Sequence, residues 1–158
     1  MSGFDDTFAY VIGIERGYVV DDGGPTMWGI TQAVARECGF QGDMHDLTLD
    51  QAKQIAKTKY WDVFHCDDFD PRIGQQVFDA AYNGGHPVLW LQQCTGATPD
   101  GQFGPATLAA VKAANVDRLI AKFDAYRLLY MCGLDVWPSY SKGWARRIAN
   151  NILAGESP

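Results

Sequence analysis

Residues 14–31 read IERGYVVDDGGPTMWGIT, and the first carboxylate in this stretch, Glu15, stands where a helix should bury an apolar side chain. The apolar residues before it recur at the spacing of one helical face, namely Phe4, Phe8, Val11 and Ile12. Glu15 is the next position on that face, and Gly17 marks the end of the helix. A carboxyl group on the core-facing side is partly desolvated, which raises its pKa and keeps it protonated near neutral pH. Glu15 is therefore a candidate general acid.

A short β-hairpin is predicted directly after this helix. Residues 18–30 contain two β-prone runs around the turn sequence Asp-Asp-Gly-Gly-Pro. Such a hairpin would place Asp21, Asp22 and Thr26 on a small lobe that faces the end of the helix carrying Glu15. A buried acid, a second carboxylate in a wetter setting and a nearby hydroxyl are the groups that a glycoside hydrolase uses. The alternative is a buried Glu with a structural role beside an ordinary acidic turn.

This stretch resembles the signature of glycoside hydrolase family 108, which is Glu-Gly-Gly-Tyr followed by Gly-Gly-x-Thr-x-x-Gly-Ile-Thr. The likeness continues downstream in order, through Asp46-Leu47-Thr48 with Gln51-Ala52, Tyr60-Trp61, and residues 78–85. The second half resembles the peptidoglycan-binding region that accompanies this family, in Leu91-Gln92, residues 100–108 and residues 143–147. Members of the family are N-acetylmuramidases, mostly phage endolysins, so the resemblance implies that activity and bacterial peptidoglycan as the partner.

The resemblance also implies roles for individual residues. Glu15 would be the catalytic acid and Thr26 would orient the attacking water. Asp22, directly before the Gly-Gly pair, would be the second carboxylate, with Asp21 as the alternative. The chain departs from the family pattern at Arg16, where Gly is usual, and in a loop shorter than the family's Asp-Pro-x-Asp-Pro segment. The order Glu, Asp, Thr is similar to that of phage-type lysozymes, which invert the anomeric carbon.

Three further residues are candidate contacts for the sugar. Tyr18 follows the catalytic motif and offers a ring that can stack on a pyranose. Asp79 and Asn83 are four residues apart and so share one face of the helix predicted to begin at Pro71. They would either bind hydroxyl or acetamido groups of the substrate, or cap the helix end and satisfy the turn at Gly84.

The composition narrows the possible partners. The chain has 158 residues and a formal net charge of −6, which is unfavourable for binding nucleic acid. Its late basic residues, Lys142, Arg146 and Arg147, form either a surface that meets wall polymer or a solvated helix face. The His and Cys residues lack metal-ligand spacing, so no metal or cofactor is expected, and nothing in the sequence requires more than a monomer.

The cellular location can also be predicted. No window approaches the roughly 18 consecutive apolar residues of a membrane span, and the N-terminus lacks the basic and apolar run of a secretory signal. We therefore expect synthesis in the host bacterial cytoplasm without stable membrane insertion. For an enzyme of peptidoglycan, the resemblance then implies release to the periplasm and cell wall, through a holin pore.

The predicted fold is mainly α-helical and lysozyme-like, with one small β-hairpin lobe after the first helix. Capping residues start several of the later helices, namely Thr31, Thr48, Asp70 and Asn115. We expect one compact unit over residues 1–158. Within it, residues 4–86 would form the glycoside hydrolase region and residues 87–158 a helical region similar to peptidoglycan-binding modules.

The predicted function is that of an endolysin, which hydrolyses the β-1,4 bond between N-acetylmuramic acid and N-acetylglucosamine with inversion. One alternative is a lytic transglycosylase, which would leave 1,6-anhydro ends instead of reducing ends. Another is a wall-binding virion module that has lost the chemistry, which Arg16 and the short loop would favour. The presence of Glu15 and Thr26 favours an enzyme.

Overall fold

Helices make up most of the chain, and one small sheet follows the first of them. The computed structural model describes residues 3–14 and 17–156. Its helices are α1 (Phe4–Ile14), α2 (Gln32–Glu37), α3 (Leu49–Ala56), α4 (Pro71–Tyr82), α5 (Pro87–Thr95), α6 (Pro105–Ala113), α7 (Val116–Cys132) and α8 (Trp137–Ala154). The strands β1 (Tyr18–Asp21), β2 (Gly24–Met27) and β3 (Ile30–Thr31) form an antiparallel sheet in that order. The mainly helical fold with a hairpin lobe is confirmed, and a short third strand extends the hairpin.

Local capping interactions begin several helices where the sequence predicts them. The Thr31 hydroxyl accepts a hydrogen bond from a backbone N–H in the first turn of α2. Thr48 and Gln51 form a reciprocal capping box at the start of α3. The side chains of Asp70 and Asn115 cap α4 and α7 in a similar way. These contacts join residues two or three apart, so they can be predicted from the local sequence. No helix in the described ranges is both long and apolar enough to cross a membrane.

The third helix ends in a wider turn than the sequence predicts. The capping pattern predicts one helix from Leu49 to about Trp61, but regular α-helix stops at Ala56 and a π-helical turn covers Lys57–Asp62. Such a turn rotates the following side chains relative to an unbroken α-helix. Trp61 is buried in the core, while the preceding Tyr60 is only half-buried.

An aromatic group at the centre of the molecule joins α1, the π-helical turn and α4. The ring of Phe4 lies 5.5 Å from that of Trp61 and 5.8 Å from that of Phe78, and both pairs meet edge to face. This geometry is favourable for aromatic rings in addition to the apolar area that it buries. The same core includes Leu91 and Phe123 from the second half of the sequence. Both predicted sequence regions therefore contribute to one core.

The register of the sheet assigns its side chains to two faces. Val19 pairs with Thr26, and Thr26 pairs with Thr31, so these three side chains form a row across one face. Tyr18 and Val20 point to the opposite face, because successive residues of a strand alternate in direction. The sheet therefore separates Thr26 from Tyr18.

The turn between β2 and β3 is held against α4. Trp28 and Gly29 adopt φ angles of 55° and 79°. The Tyr82 hydroxyl donates a hydrogen bond to the Trp28 carbonyl at 2.5 Å, and the Trp28 indole N–H donates to the Leu47 carbonyl at 3.0 Å. A Cβ atom on Gly29 would lie only 2.5 Å from Cε1 of Tyr82. Glycine is therefore required here for both its backbone angle and the close approach of the ring.

We predict that Gly29→Ala destabilises the fold more than Gly101→Ala does. Gly101 has a similar φ of 72°, but a Cβ there would meet nothing within 4 Å. Both variants incur about 1–2 kcal/mol for a left-handed alanine, whereas only Gly29→Ala also displaces the Tyr82 ring, at a cost of roughly 1–3 kcal/mol more. Urea unfolding followed by circular dichroism measures both free energies, and equal losses would contradict a structural role for the Tyr82 contact.

Candidate active site

An open cleft lies between the sheet and the C-terminal end of α4. Its volume is about 580 Å³. The row Val19, Thr26 and Thr31 lies along it, together with residues 81–84 at the end of α4 and the side chains of Tyr60 and Tyr140. The cleft therefore combines a polar strand surface with aromatic rings, which suits an elongated polar ligand.

Thr26 is placed in the cleft by the strands on both sides of it. Its side chain is largely buried, at 8% exposure, and the hydroxyl donates a long hydrogen bond of 3.4 Å to the Gly24 carbonyl. A hydroxyl at the centre of a paired strand has little freedom to move, so it can hold a water molecule at a defined place in the cleft. Its catalytic role stays a prediction.

Both candidates for the second carboxylate line the cleft. Asp21 ends β1 on the same strand face as Val19, and its Oδ1 accepts a hydrogen bond from the Gly23 backbone N–H at 2.8 Å. Asp22 begins the turn that follows. Gly24, the first residue of β2, pairs with Asp21 and has a φ of 88°, so Asp22 and Gly23 form a two-residue turn. Both carboxylates are exposed to the cleft, so the choice of Asp22 stays a prediction.

Glu15 and Arg16 lie outside the described residues. The described chain reaches Ile14, the last residue of α1, and resumes at Gly17. The Gly17 carbonyl accepts a hydrogen bond from the Trp28 backbone N–H at 3.3 Å. The segments on either side of Glu15 thus belong to the core helix and to the sheet that forms the cleft.

Tyr18 does not line the cleft, and a contact between Tyr18 and the substrate stays a prediction. Its ring lies on the opposite face of the sheet from Thr26 and stacks on His45, with ring centroids 3.8 Å apart. The Nδ1 atom of His45 lies 2.8 Å from Oδ1 of Asp43. Tyr18 contributes to a separate groove with these residues.

Asp79 is fully buried, so the prediction that it binds sugar is wrong. Its Oδ2 accepts hydrogen bonds from Nη1 of Arg127 at 2.6 Å and from Nδ2 of Asn151 at 2.7 Å. Its Oδ1 lies 3.2 Å from Nε of Arg147. A buried carboxylate requires such partners to offset its desolvation. The structural alternative for this residue therefore applies, although its partners lie far away in the sequence.

Asn83, the other residue of that predicted pair, does line the cleft. It is the C-cap residue of α4 and is exposed. Its Nδ2 donates to the Asp79 carbonyl at 2.7 Å, and its Oδ1 accepts from Nη1 of Arg147 at 3.0 Å. These bonds fix the orientation of the amide at the edge of the cleft. A contact between Asn83 and the sugar stays a prediction.

Both the sequence and the fold match known proteins. A family model described as Glycosyl hydrolase 108 matches residues 8–85, which include the sheet and α4. The solved structure of SagA from Brucella abortus is similar over 96% of this chain and 92% of that chain, with a TM-score of 0.88 and 30% identical residues. The chain belongs to the glycosyl hydrolase 108 family. No curated protein matches its sequence. As a glycosyl hydrolase 108 member the chain is a glycoside hydrolase, and its fold is lysozyme-like, as predicted.

A buried polar cluster lies behind the cleft of this glycosyl hydrolase 108 chain. Asp79 of α4 is bound by Arg127 of α7 and by Arg147 and Asn151 of α8. The Tyr10 hydroxyl of α1 donates to Oδ1 of Asn151 at 3.2 Å. The cluster thus connects four helices, and it fixes the end of α4 that borders the cleft.

Sequence reasoning missed Arg127, although a signal for it exists. Arg127 is spaced by four residues from Phe123 and Met131, and all three are buried. A charged residue on an apolar helical stripe predicts a buried partner, as the position of Glu15 does on α1. Tyr140 carries no such signal, because only the packing of α8 beside the cleft gives it a position there.

The two less accessible cysteines, Cys66 and Cys94, are not reactive thiols, and no metal site occurs in the described part of the chain. The four cysteines are unpaired thiols. Burial raises the pKa of Cys94 to about 12 and that of the fully buried Cys66 still further, so neither is a reactive thiolate near neutral pH. No group of three or more His, Cys, Asp or Glu side chains in residues 3–14 and 17–156 could hold a metal ion.

Asp124 is a second buried carboxyl group beside the cluster. It is fully buried, and neither of its carboxyl oxygens has a hydrogen-bond partner among the described residues. Burial raises its pKa from 3.8 to about 7; the Arg127 guanidinium opposes this shift and the Asp79 carboxylate adds to it. The folded chain therefore holds the Asp124 proton more tightly than the unfolded chain does.

We predict that Asp124→Asn reduces the pH dependence of stability. Because the pKa of Asp124 is raised on folding, its contribution is fully present below about pH 4 and is lost as the pH rises through 7. That loss is on the order of 3–4 kcal/mol for a shift of this size. Urea unfolding at about pH 4, 6 and 8 should show the variant gaining stability relative to the wild type as the pH rises. The exposed Asp135→Asn serves as control, and parallel curves for Asp124→Asn and wild type would contradict a neutral Asp124.

Proposed function

We propose that this glycosyl hydrolase 108 chain hydrolyses the β-1,4 bond between N-acetylmuramic acid and N-acetylglucosamine in bacterial peptidoglycan. The observation that carries the proposal is the shared position of Thr26, Asp21 and Asp22 in one cleft. The sheet that bears them begins at Tyr18, directly after the segment that contains Glu15. Membership of the family supports glycoside hydrolysis as the reaction.

Glu15 is the proposed general acid. Its place on the stripe formed by Phe4, Phe8 and Val11, which are buried, favours a desolvated carboxyl group with a raised pKa. As the bond between the anomeric carbon and the glycosidic oxygen breaks, the Glu15 proton passes to that oxygen. The departing sugar thus leaves as a neutral alcohol rather than as an alkoxide.

Water completes the reaction from the opposite face of the sugar ring. Thr26 orients this water, and Asp22 accepts its proton while the new bond to the anomeric carbon forms. The nearby carboxylate also stabilises the positive charge of the oxocarbenium-like transition state. Attack from that face inverts the anomeric centre, which requires the two carboxyl groups to lie about 6.5–9.5 Å apart.

The rest of the cleft suits a glycan strand. The rings of Tyr60 and Tyr140 offer apolar faces on which the C–H groups of pyranose rings can pack. The exposed Asn83 amide lies at the end of α4, where it can bind a hydroxyl or acetamido group. Every unit in a chain of N-acetylated sugars carries both kinds of group.

The proposed biological setting is that of an endolysin. We infer that the chain is made in the cytoplasm of a host bacterium, acts as a monomer and reaches the wall through a holin pore. The exposed basic residues Lys142 and Arg146 on α8 can assist contact with anionic wall polymer in a chain whose net charge is −6.

We predict that Glu15→Gln abolishes glycan cleavage while the fold is retained. Loss of general-acid catalysis should lower the rate by on the order of 10²–10⁴ or more, because the amide cannot supply a proton. Mass spectrometry of purified peptidoglycan after digestion identifies the new ends. Reducible N-acetylmuramic acid ends from the wild type only are the expected result. Anhydro ends would indicate a transglycosylase, and wall binding without fragments from either protein would indicate a binding module.

We predict that Asp22→Asn and Thr26→Val both lower turnover, and that Asp21→Asn lowers it less. Loss of the base should reduce the rate by about 10²–10⁴, whereas the Asp21 carboxylate already accepts a hydrogen bond within its own turn. Turbidity assays on peptidoglycan, with thermal unfolding as a check of the fold, compare the three variants. A larger loss in Asp21→Asn than in Asp22→Asn would assign the second carboxylate to Asp21.

A further inference from the structure

The first half of α8 carries aromatic side chains that the core does not cover. Trp137, Tyr140 and Trp144 are spaced by three and four residues, so they lie on one face of the helix. The same face continues to Ile148 and Asn151, which are the buried residues of α8. In the first half of this fully described helix, no side chain is buried. The core-facing side of α8 therefore extends past the core, and there it presents aromatic rings.

The three rings contact one another and form one surface. The ring centroids of Tyr140 and Trp144 lie 5.4 Å apart, with an angle of 17° between the ring planes. The rings of Trp137 and Trp144 lie 6.1 Å apart at an angle of 48°. Contacts of this kind restrain the orientation of the rings although the core does not enclose them. We name the rings of Trp137, Tyr140 and Trp144 the aromatic ledge.

The aromatic ledge is continuous with the cleft. Tyr140 lines the cleft together with Asp21 and Thr26, and its side chain is 53% exposed. Trp144 lines a small cavity of about 140 Å³ that α4, α5, α7 and α8 enclose, so this ring also has space beside it. Aromatic side chains usually bury most of their surface. A group of accessible rings beside a cleft is therefore typical of a binding surface.

The chemistry of the aromatic ledge favours a sugar over a lipid tail or an apolar protein surface. The residues between the rings are small or polar, so this part of α8 offers flat rings and little aliphatic surface; they are Pro138, Ser139, Ser141, Lys142 and Gly143. The C–H groups on the face of a β-linked pyranose can pack on such a ring. The hydroxyl groups at the edge of the same sugar can bind polar neighbours such as Ser139 and Lys142, which are exposed.

We infer that the aromatic ledge is an accessory sugar subsite, which binds the glycan strand beyond the two sugar units joined by the bond that is cleaved. This inference rests on the proposed function, since it assigns the strand in the cleft to peptidoglycan. Asp22 and Thr26, which are proposed to act on the bond, belong to the sheet and its turn, whereas the ledge belongs to α8. A strand that leaves the sheet side of the cleft reaches Tyr140. The ledge thereby increases the affinity for long strands without acting on the reacting bond.

Binding measurements in the Glu15→Gln background test the inference without cleavage. The ligands are peptide-free glycan strands from peptidoglycan, either a single disaccharide or strands of four disaccharides. Tyr140→Leu keeps an apolar side chain but removes the ring, so it should weaken binding of the long strands roughly threefold to tenfold. Binding of the disaccharide should not change. Unchanged affinity for the long strands, or an equal loss for both ligands, would overturn the inference.

Further variants separate ring stacking from other effects. Trp144→Ala removes the ring on which Tyr140 stacks, so it should cause a similar loss for long strands. Tyr140→Phe keeps the ring and should retain the affinity. Leu153→Ala changes a side chain near the other end of α8 that is 65% exposed, and it should leave both affinities intact. Thermal unfolding checks that each variant is folded.

Other occupants of the aromatic ledge would give different results. Sedimentation with phosphatidylglycerol vesicles tests a membrane as the partner, and analytical ultracentrifugation tests a second copy of the chain. Vesicle binding or dimerisation that Tyr140→Leu abolishes, with unchanged affinity for long glycan strands, would overturn the inference.

The outcome for the proposed function is separate. Cleavage of peptidoglycan by the wild type, combined with full affinity of Tyr140→Leu for long strands, would remove the accessory subsite and leave the muramidase. A loss of affinity in Tyr140→Leu that is confined to long strands, without cleavage by the wild type, would retain the subsite and remove the hydrolase.

Discussion

The buried carboxylate of Asp79 is the constraint on which the architecture around the cleft depends. It brings Arg127 of α7 and Arg147 and Asn151 of α8 to one point on α4. Removing one member of such a buried ion pair leaves the other charge without compensation, at a cost of about 3–5 kcal/mol. The cluster therefore does more than add stability, because it determines how the C-terminal helices approach the end of α4. Both the cleft and the small cavity enclosed by α4, α5, α7 and α8 take their shape from that approach.

The helix α4 links this cluster to the sheet. Asp79 faces the charge cluster, and Tyr82, less than one helical turn later, donates to the Trp28 carbonyl in the turn between β2 and β3. The three-residue separation directs the two side chains differently around the helix axis. One helix thereby fixes the C-terminal helices on one side and the cleft wall containing Thr26 on the other. The proposed catalysis requires a constant distance between the C-terminal helices and this wall of the cleft.

The parts of the structure that could be predicted are those decided by neighbouring residues. The caps at Thr31 and Thr48 and the hairpin around the Asp-Asp-Gly-Gly-Pro turn depend on residues a few positions apart, and they form as expected. The position of Tyr18 on the face away from Thr26 could also have been predicted, from strand alternation. Tyr18 and Asp21 are separated by an odd number of positions, so within one strand only one of them can face the cleft.

The burial of Asp79 had no local signal. Its partners Arg127 and Asn151 are 48 and 72 residues away in the sequence, and the α4 pattern alone fits a cleft-facing carboxylate equally well. The same applies to the small cavity between α4, α5, α7 and α8, which forms only when these four helices come together. Charge pairs between distant residues can be predicted from sequence only by comparing the charged residues that lie on the apolar faces of different helices. Arg127 on α7 is such a residue, and its partner Asp79 lies on α4.

The contact between Tyr82 and the Trp28–Gly29 turn also bears on how this enzyme could be re-engineered. The hydrogen bond is accepted by a main-chain carbonyl, so it does not depend on which side chain occupies position 28. Gly29, in contrast, lies so close to the Tyr82 ring that position 29 does not tolerate a side chain. A combinatorial library aimed at new wall chemistries could therefore vary exposed positions of β1 that face away from the cleft, such as Val20, provided that the pair at positions 29 and 82 is inherited unchanged.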